Sequence, residues 1–478
     1  MSEEIKTRIE HENIEKLTTQ EKIDMLANWI LDQYTSIKHF IKNGVSIGLY
    51  KWDGKRFTDC EKELEGVIEY NELGIPINTH IVNEVIEKIK RRTQHFLNEK
   101  REDLIVTFEN GIMDWTDILL GNVHIKPLEE YGKELRENTT SWIPFIYIPH
   151  ELDIALLKEL FEKLKDKNID IEIEKQIIEQ IEPDIVNVFK QWVGDNWLLL
   201  LEIIGYTLYP DYPYHKAFML LGKGNNGKST YIKLVNKIVG EHNVSAIPLQ
   251  TLLSDKFARA ELYHKLVNTF ADLPPNPLEE TGIFKALTGE DRIDASIKFV
   301  QKMLGFYNYA KLIFSANELP KTRDITDAFF HRWIIVDFPN KFPEQIGFLE
   351  SVFTEEKIKR IIAIGIWAFY LVTKRNKFSI EISGEETKKR WMRETDPIYD
   401  FIQSMIERGI LEQDPDGKIK DTELWELWVN YAEEQEYEKM DKRKFTIALQ
   451  NYGITKVRGK TEEFYKGLRK IEDKNTLG

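Results

Sequence analysis

The stretch that decides the fold runs from His215 to Gly240 and reads HKAFMLLGKGNNGKSTYIKLVNKIVG. Ala217 to Leu221 is a continuous apolar run of the kind a buried strand needs. Gly222, Lys223, Gly224, Asn225, Asn226, Gly227, Lys228 and Ser229 fit G-x-x-x-x-G-K-[ST], and Thr230 to Val239 has helical spacing. Strand, glycine loop and helix is the context the motif requires. The glycines let successive N–H groups turn toward one anion, and the helix aims its positive end at the same point. The pattern predicts a nucleoside triphosphate held by Gly222, Gly224, Asn225, Asn226, Gly227, Lys228, Ser229 and Thr230. Lys228 reaches the β- and γ-phosphates and the Ser229 hydroxyl ligates Mg²⁺.

Around this stretch, from Lys216 to Pro339, short apolar runs alternate with helical ones, the signature of a mostly parallel α/β sheet. Upstream, Ile14 to Phe40 has the spacing of amphipathic helices, and SIGLYKWDGKRF reads as a hairpin turning at Asp53-Gly54. Asn83 to Leu97 is helical in period, with Lys88, Lys90, Arg91 and Arg92 read as a solvated face. From Leu104 the pattern is strand-like as far as WIPFIYIPHELD. A charged helical stretch, Leu156 to Glu182, then ends at Pro183, and the apolar helix Trp192 to Tyr209 is stopped by Pro210 and Pro213. After Lys374 the chain is helical again and closes in a basic helix-plus-hairpin segment.

With 478 residues the chain is too long for one typical domain, and 42% apolar with 31% charged residues suits a globular core. The 66 basic and 80 acidic residues leave a net charge of −14, which excludes a uniformly basic coat but allows a basic channel or module. A single cysteine, Cys60, excludes an intrachain disulfide framework and a Cys-rich zinc site. The longest apolar run, Ile361 to Val372, has 12 residues, too few to span a bilayer, and the N-terminus lacks the apolar core of a signal peptide. A soluble, intracellular, multi-domain chain with no membrane partner is expected.

Three further signals follow the glycine loop. LVNTFADLP puts Asp272 at the end of a modestly apolar strand, where a Mg²⁺-associated carboxylate belongs. KLIFSANELP is a buried strand whose tip delivers Asn317, an amide able to hold an attacking water through one donor and one acceptor. AFFHRWIIVDFP places Arg332 before another buried strand, 15 residues after Asn317, as suits an arginine finger.

Together GKGNNGKST, Asp272 in NTFADLP, KALTGEDRIDASIKF, SANELP and FFHRW resemble the superfamily 3 helicases of phage, plasmid and poxvirus-type primase-helicases. The resemblance covers roughly residues 104 to 470 and takes in FENGIMDW, WIPFIYIPHELD and LLLLEIIGYTLYP upstream. It implies a P-loop AAA+-like ATPase core in a ring, usually a hexamer, with Lys228, Asp272 and Asn317 serving the nucleotide in cis and Arg332 acting in trans. It also implies a hairpin projecting into a central channel, here about Ile293 to Tyr309, with Lys298 and Lys302 on the phosphates of one DNA strand. Movement from 3′ to 5′ follows from the same likeness. Asp272 is followed by Leu273 and not by a second acid, so the group that polarises the water stays open. The only nearby candidate for the paired-acid motif of a primase, Asp170 to Glu174, lacks a following Ser-x-His, so the chain reads as a helicase without its own primase.

Residues 395 to 470 resemble the winged helix that ends such helicases. Asp441 can cap a helix whose apolar face is Phe445, Ala448, Leu449 and Tyr452. Lys442, Arg443 and Lys444 crowd its first turn, against the helix dipole, which favours an external anion as their partner. ITKVR, bearing Arg458, and EFYKGL form the wing.

The expected organisation is an α/β chain: a mixed α/β accessory domain over 1–103, a pre-helicase region with a helical bundle over 104–195, the ATPase over 196–378 and a winged-helix DNA-binding domain over 379–478. The expected function is an ATP- and Mg²⁺-dependent replicative DNA helicase of a virus or plasmid in the host cytoplasm. It acts on single-stranded and forked DNA as a homo-hexamer, alongside a separate primase or polymerase. The rival readings are an origin-binding initiator and a DNA-packaging or remodelling ATPase that does not separate strands.

Overall fold

The computed structural model describes residues 16–34, 36–42, 45–97, 104–136, 146–163, 170–296, 303–322, 324, 326–380, 382–459 and 462–471. The chain is mixed α/β and forms two compact units, one of residues 1–273, 280–315 and 334–381, the other of 274–279, 316–333 and 382–478.

Among the described residues the first α-helix of the first unit is Thr19–Gln33. Its start is a capping box: the Thr18 hydroxyl accepts from the Glu21 N–H at 3.3 Å and the Glu21 carboxylate accepts from the Thr18 N–H at 2.8 Å. Strands β1 (Ile37–Lys42), β2 (Val45–Trp52) and β3 (Phe57–Asp59) form an antiparallel meander, and β4 (Gln94–Leu97) returns beside β1 in parallel, giving the order β3-β2-β1-β4. The hairpin expected at Asp53-Gly54 is present, with the Asp53 carboxylate accepting from the N–H groups of Lys55 and Arg56, each at 2.9 Å. Helical spacing misread two short segments, Ile37–Lys42 and Gln94–Leu97. Both are strands because they pair with each other inside a sheet, which periodicity within either segment cannot reveal.

The helix Thr79–Arg92, capped by Asn78, buries Ile81, Val82, Val85, Ile86 and Ile89. Three of its four bases are occupied at home: Lys88 pairs with Asp24, Lys90 with Glu61 at 2.7 Å, and Arg92 donates to Asn28 at 2.6 Å. Strands β5 (Ile105–Phe108), β6 (Gly111–Asp114) and β7 (Ile125–Lys126) form a small antiparallel sheet.

The expected helical region follows as Ile154–Glu162, Ile171–Ile181, Pro183–Val193 and Trp197–Leu208. The last is buried along its whole length and packs on the 21-residue helix Glu355–Arg375. Such a helix tolerates a charge only if the charge is answered. Glu202 within it meets the Arg375 guanidinium and accepts from Ser379 N at 2.9 Å and Ser379 Oγ at 2.8 Å. Arg375 also holds the buried Glu174, whose carboxyl is pushed up to about 8 by burial first and then by the Glu202 charge. The acidic run Asp170 to Glu174 therefore caps a helix, through Asp170, and closes this buried network.

Because Glu174 binds its proton more tightly folded than unfolded, the stability it contributes is full below its ordinary value of 4.5 and is lost as pH rises through about 8. The melting temperature is expected to fall by several degrees between pH 6 and pH 9. Glu174→Gln is expected to flatten that slope in a thermal melt followed by circular dichroism.

The main sheet holds β8 (Ala217–Leu221), β9 (Val244–Ser245), β10 (Val267–Phe270), β13 (Lys311–Ala316) and β14 (Trp333–Asp337) in the order β14-β8-β13-β10-β9. β10 runs parallel to both β9 and β13, as the alternation of strand and helix signals predicts. Between β10 and β13 lies an antiparallel hairpin of β11 (Arg292–Ser296) and β12 (Met303–Tyr307). The hairpin expected over Ile293 to Tyr309 is thus present, while Lys298 and Lys302 lie outside the described residues.

The second unit carries the helices Gly384–Thr395, Pro397–Glu407, Asp421–Glu434 and Lys442–Gln450, with β15 (Leu411–Lys420), β16 (Thr455–Arg458) and β17 (Glu463–Lys470). The sheet order is β15-β17-β16, all antiparallel, around a core that includes Phe401, Trp428, Phe445 and Tyr465. Among the described residues no helix is long and apolar enough to cross a membrane.

Candidate active site

The loop after β8 begins at Gly222 and ends where Lys228 opens the helix Lys228–Val239. Two glycines there are dictated by space. A Cβ on Gly227 would lie 2.7 Å from the Trp192 ring, at a φ of +94°, and one on Gly222 would lie 2.2 Å from the Asn226 amide nitrogen and 2.5 Å from the Phe338 carbonyl oxygen. Asn225 also takes a positive φ, +44°, and its carbonyl accepts from Phe342 N at 2.7 Å. The loop is therefore enclosed by Trp192 on one side and by the segment following β14 on another.

Within it Lys228 is buried, and its ammonium donates to the Gly222 carbonyl and, at 2.9 Å, to Asn226 Oδ1. Burial holds the Lys228 pKa below the usual lysine range, and the charge of Asp272 works in the opposite direction. Lys228 and Asp272 are thus brought together. Asp272 sits two residues beyond β10 at a φ of +60°, exposed, with its N–H donating to Ser315 Oγ at 3.2 Å and Leu273 N donating to the Ser315 carbonyl at 2.7 Å. The Thr269 hydroxyl of β10 donates to Asn236 Oδ1 at 2.9 Å, locking that strand to the helix that Lys228 starts. Lys223, Gly224 and Ser229 are exposed at the loop, Thr230 is half-buried, and Ser229 with Asp272 offers the hard oxygen donors that a magnesium ion prefers.

Asn317 and Arg332 belong to the second unit. Asn317 follows the last residue of β13 and is exposed. Arg332 stands between the buried aromatics Phe330 and Trp333, which pack with Phe329 around Trp391, and Trp391 Nε1 donates to the Pro320 carbonyl at 2.8 Å. A side chain on so firmly held a turn has a defined origin. Arg332 is half-buried, and its guanidinium donates to the Ala328 carbonyl.

In the C-terminal unit the helix Lys442–Gln450 is capped by Asp441, whose carboxylate accepts from Lys444 N at 2.8 Å, and it buries Phe445 and Leu449 as its spacing requires. Sequence alone groups Lys442, Arg443 and Lys444 as bases awaiting an external anion. Lys442 is already engaged, pairing with Asp421 at 2.5 Å, and Lys456 pairs with the same carboxylate at 3.0 Å. Burial alone raises the Asp421 pKa, but the hydrogen bonds from these two lysines outweigh it and lower the net value. Lys466 and Arg469 are likewise matched with Asp416 and Asp414. Arg443, Lys444 and Arg458 stay exposed and form no ion pair among the described residues. Sequence reasoning missed both Asp421 and the Asn226 bridge, since each acts through a partner distant in the chain.

Residues 220–332 match the model of a family of unknown function, DUF5906. No curated protein matches the chain. Among solved structures, the A form apo structure of the NrS-1 C terminal region is 14% identical, with 92% of this chain and 97% of that chain covered at a TM-score of 0.41. A second apo structure of the NrS-1 C terminal region is 15% identical over 92% and 97% of the two chains, at a TM-score of 0.43.

Proposed function

We propose that this chain is an ATP-driven, ring-forming DNA helicase that serves the replication of a virus or plasmid. The observation that carries the reading is the loop between β8 and its helix, where Lys228 is buried beside the charge of Asp272 at the head of an α-helix. On this reading the five-stranded sheet is a P-loop AAA+-like core and the C-terminal unit is a winged helix.

The loop N–H groups and the helix start bind the triphosphate, and Lys228 draws charge off its β- and γ-phosphates. Ser229 and Asp272 would hold a Mg²⁺ ion, which when bound would supply positive charge against the phosphate oxygens. Asn317 orients the attacking water, and Arg332 of an adjacent protomer in a homo-hexamer meets the charge that develops as the terminal bond breaks. The hairpin of β11 and β12 grips single-stranded DNA through phosphates, with Lys298 and Lys302 as its expected contacts, and so moves without reading sequence.

The test is ATP turnover with and without single-stranded DNA. Severalfold stimulation by oligonucleotide is expected. Turnover indifferent to DNA would contradict a DNA motor, and no turnover at all would contradict the ATPase assignment.

The C-terminal unit gives a second, separable prediction. Arg443→Ala with Lys444→Ala is expected to weaken duplex binding and to reduce the slope of log affinity against log salt by about two. Lys442→Ala, which breaks an internal pair, is expected to lower thermal stability with a smaller effect on DNA. Fluorescence anisotropy at two salt concentrations separates these outcomes.

A further inference from the structure

The Asn226 side chain is buried, only 3% exposed, inside the phosphate loop, and both ends of its amide are engaged. Its nitrogen donates to the Phe338 carbonyl at 3.0 Å, and its oxygen accepts from the Lys228 ammonium at 2.9 Å. The amide's orientation is dictated by its partners: a carbonyl can only accept and an ammonium can only donate. A carboxylate in this place would set lone pairs against the Phe338 carbonyl, and an alkyl group would leave both partners unanswered. The amide also fills the space a side chain on Gly222 would need.

Phe338 is itself fixed, because its N–H donates to the Leu221 carbonyl at 2.8 Å at the end of β8. Four residues on, Phe342 N donates to the Asn225 carbonyl at 2.7 Å, and Asn340 Nδ2 donates to the Gln191 carbonyl at 2.7 Å. The segment 338–342 is thus a strap laid along the phosphate loop, and Asn226 is the one loop side chain that joins the strap to Lys228.

We propose that Asn226 is a positioning residue for phosphoryl transfer: it fixes where the Lys228 ammonium stands by referring it to the Phe338 carbonyl. The proposal rests on the reading of this loop as an ATP site. A flexible lysine must otherwise give up rotamer freedom at each encounter, and an ammonium displaced by about 1 Å from the transferring phosphate loses on the order of 100-fold in rate. Two buried partners remove that search. Asn226 does not touch the reacting atoms; it acts through Lys228.

The experiment uses the full chain and three measurements. At saturating MgATP, Asn226→Ala is expected to lower kcat at least tenfold. Asn226→Asp, nearly identical in shape and still an acceptor for Lys228, is expected to lose turnover to a similar degree, because it cannot donate to Phe338. In binding titrations with fluorescent ATP and ADP, Asn226→Ala is expected to weaken ATP more than ADP, since Lys228 meets two phosphate groups in the first and one in the second. A general loosening of the loop would weaken both equally.

Wild-type protein that neither binds nor hydrolyses ATP would defeat the underlying reading. Wild-type turnover with Asn226→Ala within twofold of it would overturn the positioning role alone. Equal loss of ATP and ADP affinity, or full kcat in Asn226→Asp, would also overturn it.

Discussion

Lys228→Ala is expected to lower ATP turnover by about 100-fold or more while the protein stays folded. The size follows from what the ammonium does: it is the buried positive charge of the loop, while Lys223 is exposed, and it stands where charges act through a lower dielectric than water. Retention of the fold follows from what the ammonium touches. Its hydrogen bonds go to the Gly222 carbonyl and Asn226 Oδ1, both at the loop. Burial already disfavours its charge, so removing it also relieves a desolvation cost. The melting temperature should stay within a few degrees of wild type. Turnover that survives in Lys228→Ala would remove the phosphate-loop assignment.

Arg332→Ala is expected to bind ATP with near-normal affinity yet lose on the order of 1,000-fold in turnover. Its place on a turn clamped by Phe330, Trp333 and Trp391 gives the guanidinium a rigid base, as an arginine finger requires. If it acts on a neighbouring protomer's nucleotide, mixing restores function. In an equal mixture of Lys228→Ala and Arg332→Ala chains, about a quarter of the seams of a closed ring pair an intact Lys228 with an intact Arg332. Activity should therefore rise well above either parent. A mixture no better than its components at any ratio would place the arginine in its own subunit's chemistry.

How much of this was legible in the sequence depends on how local each signal is. The strand, glycine loop and helix were readable because they are contiguous, and the structure keeps that order from Ala217 to Val239. The hairpin at Asp53-Gly54 and the cap at Asp441 were readable for the same reason. The strand identity of Ile37–Lys42 and Gln94–Leu97 was not, since it comes from their pairing across more than fifty residues.

Side-chain partnerships were the least legible. Asn226 meets Phe338, 112 positions away, and nothing in GKGNNGKST marks which asparagine turns inward. Lys442 looks like its neighbours Arg443 and Lys444 until Asp421 is placed beside it. Glu174 read as part of an acidic run, and only packing against Arg375 and Glu202 makes it a buried member of a network, its carboxyl held above the ordinary range by burial.

A forked duplex with one labelled strand tests the central claim most directly. The protein with ATP and Mg²⁺ is expected to release the labelled strand. Release should stop when ATP is replaced by a non-hydrolysable analogue, and in Lys228→Ala. ATP hydrolysis that proceeds at full rate on this substrate without releasing the strand would contradict the account and leave an ATPase that binds or remodels DNA.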